Sequence, residues 1–118
     1  MNIQSSTNFR GVSGRAYSFN RVSPNSPWAR TAGVAIFAAR DAFGWRVVRM
    51  SEVTGRDHDV RPFCALADAE RYGARAVFIR PGASASDRAA AIADLEAGLN
   101  PVCAHKYDDA RPEVAIAA

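Results

Sequence analysis

A chain of 118 residues, 48% of them hydrophobic, has enough material for one domain around a single core and is too apolar for a disordered segment. Its net charge of +3 comes from fourteen arginines and one lysine against twelve acids, scattered along the chain, so there is no basic block and only a weak nucleic-acid signal. No apolar run approaches the roughly 20 residues of a membrane span, the opening residues lack the basic-then-apolar order of a secretory signal, and the expected location is the cytoplasm.

Residues 1–12 are polar, with Ser, Asn and Gly, and read as a flexible N-terminal segment. Tyr17 and Phe19 alternate with Ser18 and so share one face of a short strand. Ser23-Pro24-Asn25-Ser26-Pro27 is a loop, because two prolines remove donors and fix the backbone. Trp28 closes it, as a cover over the edge of a core rather than a platform for a base. Gly33 to Ala39 is an unbroken apolar run, the pattern of a strand buried on both faces. Residues 40–44 form a turn, and Trp45 to Met50 returns as the second arm of a hairpin.

Ser51 to Val60 reads as a loop or irregular helix. A helix then starts at Pro62, with Phe63, Leu66, Ala67 and Tyr72 as its apolar positions and Gly73 as its stop. Ala74 to Ile79 is a third strong strand, ended by Pro81-Gly82. Ser84 or Ser86 caps the next helix, with Asp87 in its first turn. Its buried side carries Arg88, Ile92, Leu95 and Leu99, and Gly98 and Pro101 end it. The tail from 104 to 118 is mixed, with Val114-Ala115-Ile116 as a possible edge strand. The expected fold is α+β: a small antiparallel or mixed sheet built on a β-hairpin, with flanking helices, in one domain over residues 13–103.

Several of these pieces, in this order, resemble the GIY-YIG nuclease superfamily. The likeness is closest to a bacterial subgroup that opens with Gly-x-Ser-Gly-x-x-Tyr-x-Phe, here Gly11 to Phe19, and closes with Asp94-Leu95 and Leu99-Asn100-Pro101-Val102-Cys103. The resemblance covers residues 11–103 and implies a hairpin-based sheet with helices around it. In active members two tyrosines, an arginine and a metal-holding glutamate hydrolyse a phosphodiester, the cations neutralising the growing anion.

This chain departs from that pattern. The first motif reads Gly33-Val34-Ala35, with alanine in the tyrosine's place, and the second reads Arg49-Met50-Ser51. Arg56 falls near the expected arginine. Aligning Asp94-Leu95 puts Ile92 at the glutamate's position, and isoleucine offers Mg²⁺ no oxygen. Asp94 lies about 200° around the helix from Ile92, and the backbone of Glu96 about 6 Å along it, so neither replaces the missing ligand. No Ser/His/Asp set, phosphate-binding glycine loop or paired Cys/His spacing appears, and Cys64 and Cys103 read as reduced packing residues. No metal or cofactor is expected.

The resemblance therefore implies a nuclease frame without nuclease chemistry. The expected function is binding of DNA, RNA or an acidic protein surface, through a weakly basic groove with Arg49, Glu52, Arg56 and Arg88 as its candidate residues. A divergent metal-dependent nuclease using Glu52, Arg56 and Glu96 is one alternative, and a phage or mobile-element inhibitor that acts on a protein is another. In the segment Thr54 to Asp59, the run Asp57-His58-Asp59 reads as a solvated loop rather than an acid–base or metal site.

Overall fold

The computed structural model describes residues 6–103. The elements follow the order β1 (Ser6–Arg10), β2 (Ala16–Val22), a short 3-10 turn (Trp28–Arg30), β3 (Gly33–Asp41), β4 (Gly44–Val53), α1 (Arg61–Glu70), β5 (Ala76–Pro81) and α2 (Ala85–Leu99). The five strands form one antiparallel sheet in the order β1-β2-β5-β3-β4. The fold is thus α+β, with the β3–β4 hairpin paired to β5 and a helix on each face. The N-terminal stretch expected to be loose contributes β1, which pairs Thr7 with Phe19 and Phe9 with Tyr17. The possible edge strand at Val114 to Ile116 lies outside the described residues.

The sheet separates two cores. On its inner face Phe9, Tyr17, Phe19, Ile36, Met50 and Phe78 pack against Ala91, Ile92 and Leu95 of α2. On its outer face Trp28, Phe37, Val48, Val53, Val77 and Ile79 pack against Ala65 and Ala69 of α1. β3 supplies both, and every residue from Gly33 to Ala39 is buried, as the unbroken apolar run predicts. Each fully buried Phe (Phe19, Phe37, Phe78) contributes on the order of 2–3 kcal/mol by leaving water.

α1 turns a different side to the sheet from the one its large residues suggest. Pro62, Ala65 and Ala69 are buried, Leu66 is half-buried, and Phe63, Ala67 and Tyr72 are exposed. Alanines let the helix backbone approach the sheet closely. Phe63 lies at the margin, where its ring covers Trp28 at 5.2 Å, and Trp28 in turn closes the outer core against Phe37 at 5.6 Å.

The hairpin carries one irregularity. Phe37 pairs with Arg49 but Ala38 pairs with Val47, so Val48 is an extra residue. This β-bulge places Val48 and Arg49 on the same side of the strand, toward α1, while Val47 and Met50 face inward. The strands also run further than predicted. β4 continues to Val53, and β3 continues to Asp41, which leaves only Ala42 and Phe43 as the tip.

α2 starts as expected, with the Ser84 hydroxyl accepting from the Asp87 N–H at 3.2 Å. Its left-handed stop falls at Asn100 (φ 52°), two residues beyond Gly98, which lies inside the helix. Gly98 has another task. The β1–β2 turn crosses the helix there, and a Cβ on Gly98 would overlap the backbone of Gly11 and Val12. A Cβ on Gly11 would likewise overlap the Asp94 carboxylate. That carboxylate holds the turn: it accepts from the Ser13 N–H (2.9 Å), the Ser13 hydroxyl (2.7 Å) and the Tyr17 hydroxyl (2.9 Å). The Asp94 carbonyl accepts from the Val12 N–H at 3.0 Å.

Four residues beyond Gly98, the Val102 N–H reaches the Val47 carbonyl, and the Cys103 N–H reaches that of Val48 at 2.7 Å. The segment from Gly98 to Val102 thus links the β1–β2 turn to β4 with at most about 14 Å of chain. The sheet is curled: Arg21 of β2 reaches the ring of Trp45 on β4 across two intervening strands, and α2 lies across the gap between the sheet's edges.

Two outcomes test this arrangement. At an exposed helix position Gly→Ala ordinarily stabilises by about 1 kcal/mol, whereas Gly98→Ala should lower the melting temperature, because the added methyl meets backbone. The Ser13 bonds, followed by that of Tyr17 and the charge of Arg15, hold the Asp94 carboxyl below its ordinary pKa of 3.8. The stability it supplies is then complete above that pH and is lost as pH falls through the lowered value. Asp94→Asn should flatten the acid limb of a stability–pH curve below about pH 4.

Candidate functional site

The four residues expected in a basic groove do not share one. Arg49 faces α1, where its Nη1 donates to Asp68 at 2.6 Å, and its side chain is only 12% exposed. Glu52 lies on the inner face instead, two residues beyond Met50. It accepts from Arg88 of α2, whose Nε and Nη2 both stand 3.0 Å from one Glu52 oxygen. The structure thus joins Glu52 with Arg88, sends Arg49 to the opposite side of the sheet, and leaves Arg56 exposed in the loop after β4.

Arg88 is a structural residue. It is 8% exposed, and its Nη1 donates to the Ala83 carbonyl at 2.8 Å. Ala83 itself holds a left-handed φ of 73°, directly after Gly82 at 97°. The guanidinium therefore fixes the tight β5–α2 connection and ties α2 to β4.

Arg56 lines a cleft of about 670 Å³ together with Thr54, Gly55, Asp57, His58, Asp59 and Arg61. Its floor is organised by Asp59, which accepts from the Thr54 hydroxyl (2.8 Å), the Arg61 N–H (3.2 Å) and the Arg61 guanidinium (2.9 and 3.1 Å). The Arg61 bonds, against the cost of burial, hold the Asp59 carboxyl far below the usual carboxylate range. Asp59 is thus a loop brace, and Arg56, Asp57 and His58 point to solvent. Among the described residues no three His, Cys, Asp or Glu side chains converge on a metal position. The backbone of Glu96 lies about 12 Å along α2 from that of Arg88, so Glu52, Arg56 and Glu96 are not gathered either.

The positions that the nuclease resemblance would make catalytic are absorbed in packing. Ala35 is fully buried on the outer face, and Ile92 is 3% exposed on the inner one. Catalytic groups must converge on one phosphate, and these two positions stand on opposite sides of the sheet.

A different set of arginines is available. Trp45 packs edge-on against Phe78 at 5.1 Å and carries two guanidinium groups, Arg40 at 4.5 Å and Arg21 at 5.0 Å from its ring centre. Arg40 is its cross-strand partner beside the hairpin turn, and Arg21 reaches it from β2 because the sheet curls. Further along the same face Arg15 and Arg80 stand over Tyr17 at 4.8 and 5.2 Å. Burial, then the bond to Asp94, raises the pKa of Tyr17 and keeps it a neutral phenol.

Arg21 and Arg40 are exposed, Arg80 half-buried, and none of the three forms an ion pair among the described residues. In the sequence these residues look like scattered surface charge. The available signal was strand parity, which puts Tyr17, Phe19 and Arg21 on one face and Arg40 opposite Trp45 across the turn.

No family model, curated protein or solved structure matches this chain. No helix among the described residues is long and apolar enough to cross a membrane.

The assignment of Arg88 to the fold has a direct check. Arg88→Met should cost about 2 kcal/mol in chemical denaturation, since it leaves Glu52 and the Ala83 carbonyl without their donor; the partial exposure of Glu52, 28%, keeps the loss below that of a fully buried pair.

Proposed function

We propose that this chain is a non-catalytic nucleic-acid-binding module, a nuclease-like frame of the GIY-YIG kind used for binding instead of cleavage. The observation that carries the reading is the pair of arginines held over the ring of Trp45 without carboxylate partners among the described residues. A guanidinium held over a ring is pre-oriented and loses little freedom when it meets a phosphate. Four of the other arginines form ion pairs within the fold, Arg49 and Arg71 sharing Asp68, Arg61 with Asp59 and Arg88 with Glu52. Among the described residues, Arg15, Arg21, Arg40 and Arg80 are the arginines that aromatic rings organise. An acidic protein surface is the competing partner, and the aromatic setting favours nucleic acid, whose bases add π faces to the charge.

The non-catalytic part of the reading draws on the same geometry. Ala35 and Ile92 are buried on opposite faces, and Glu52 is engaged by Arg88. The candidate groove of Arg49, Glu52, Arg56 and Arg88 gives way in this reading to Arg21, Arg40 and Arg80.

Titration of a labelled oligonucleotide at several salt concentrations tests the reading. Affinity should fall as salt rises, with a log–log slope of about −0.7 per phosphate contacted on a single strand. Arg21→Gln with Arg40→Gln should make that slope shallower by about 1.4. With Mg²⁺ or Mn²⁺ the oligonucleotide should stay intact. Cleavage that EDTA and Glu52→Ala both abolish would establish the nuclease alternative, and salt-independent binding would end the nucleic-acid reading.

A further inference from the structure

The tip of the β3–β4 hairpin holds a side chain that the fold does not use. Phe43 is 99% exposed. Its backbone matters to the turn, because the Phe43 N–H donates to Asp41 Oδ1 at 2.8 Å and Gly44 next to it takes the positive φ of 123°. Its ring touches no core, and any residue with an N–H would build the same turn. An isolated exposed apolar residue needs no explanation, but this one occupies a particular place. β5 pairs with β3 only as far as Ala38, so Ala39 to Arg46 form a two-stranded ribbon that extends beyond the sheet. One pair in from its turn, Trp45 faces Arg40 across the ribbon and carries the guanidinium groups of Arg21 and Arg40.

We propose that the hairpin tip is a single-strand contact, with Phe43 stacking on an unpaired base while Arg21 and Arg40 take the flanking phosphates. This rests on the nucleic-acid reading above and narrows it to a ligand class. The charge is complementary to a phosphate chain, since no ion pair among the described residues neutralises either arginine. Trp45 cannot supply the stacking surface freely, because two guanidinium groups and Phe78 already contact its ring. Among the described residues Phe43 is the free ring at this end, and at the apex of a narrow ribbon it reaches a base without carrying the sheet with it. A duplex offers such a ring no open base face, and unstacking a step costs a few kcal/mol. A single strand presents its bases already open.

The test uses the full chain, thermal melting as a check of folding, and two labelled probes. One is an oligodeoxythymidylate about twelve nucleotides long, within the roughly 4–16 nucleotides of a single-strand site; the other is a duplex of equal length. The wild-type chain should prefer the single strand. Phe43→Ser should melt like wild type and bind the single strand about 5- to 100-fold more weakly, the size of one lost base–aromatic stack. Its salt slope should not change, because no charge is removed. Phe43→Tyr should restore the affinity.

Unaltered single-strand affinity in Phe43→Ser, with salt-dependent binding retained, would overturn the stacking role and leave the binding function standing. A preference for the duplex would do the same. Failure of the wild-type chain to bind either probe in a salt-dependent manner would overturn both proposals.

Discussion

The curl of the sheet depends on one close crossing, where the backbone of Gly11 and Val12 lies against Gly98 of α2. Only two glycines allow it. A side chain at either would hold the β1–β2 turn away from the helix, and Asp94 would lose its bonds to Ser13 and Tyr17. With the crossing in place, α2 reaches from β4 at its start to β1 near its end. The segment behind it then returns to the β4 edge through Val102 and Cys103. The inner core of Phe9, Phe19, Phe78 and Leu95 is enclosed as a consequence.

The same curl divides the arginines by role. Arg88 is drawn under α2, pairs with Glu52 and steadies the left-handed Ala83. Arg49 is turned outward by the bulge at Val48 and meets Asp68 on α1. Both charges belong to the folded framework, where each offsets a carboxylate taken partly out of water. Arg21 and Arg40, by contrast, converge on Trp45 from strands that are not neighbours. Net charge alone does not separate these groups. A +3 balance hides the fact that Arg49 and Arg88 are engaged within the fold, whereas Arg21 and Arg40 meet at the ring of Trp45 beside the hairpin turn.

Elements built on local patterning were readable in the chain. The apolar run from Gly33 to Ala39, the return strand after the turn, the Ser84 cap and the inward side of α2 at Arg88, Ile92 and Leu95 all follow from period and capping chemistry. β1 was missed because Ser6 to Arg10 holds a single buried apolar residue, Phe9, and gains its strand character from pairing with β2. The face of α1 was misread because alanines, not the larger Phe63, make the close approach to the sheet. The role of Gly98 was misread because a glycine near a helix end also fits a stop signal.

What the sequence determined by itself was the α+β character, the hairpin and the two helices. These are properties of short segments, set by side-chain period and by which atoms a residue carries. Which residues meet was decided only in three dimensions. One extra residue at Val48 reverses the face of Arg49 without leaving a mark in the local pattern. The meeting of Arg21 with Trp45 depends on curvature, to which residues far apart in the chain contribute jointly. A candidate site therefore drawn from motif position gathered Arg49, Glu52, Arg56 and Arg88, whereas the folded sheet brings Arg21 and Arg40 to the aromatic ring of Trp45.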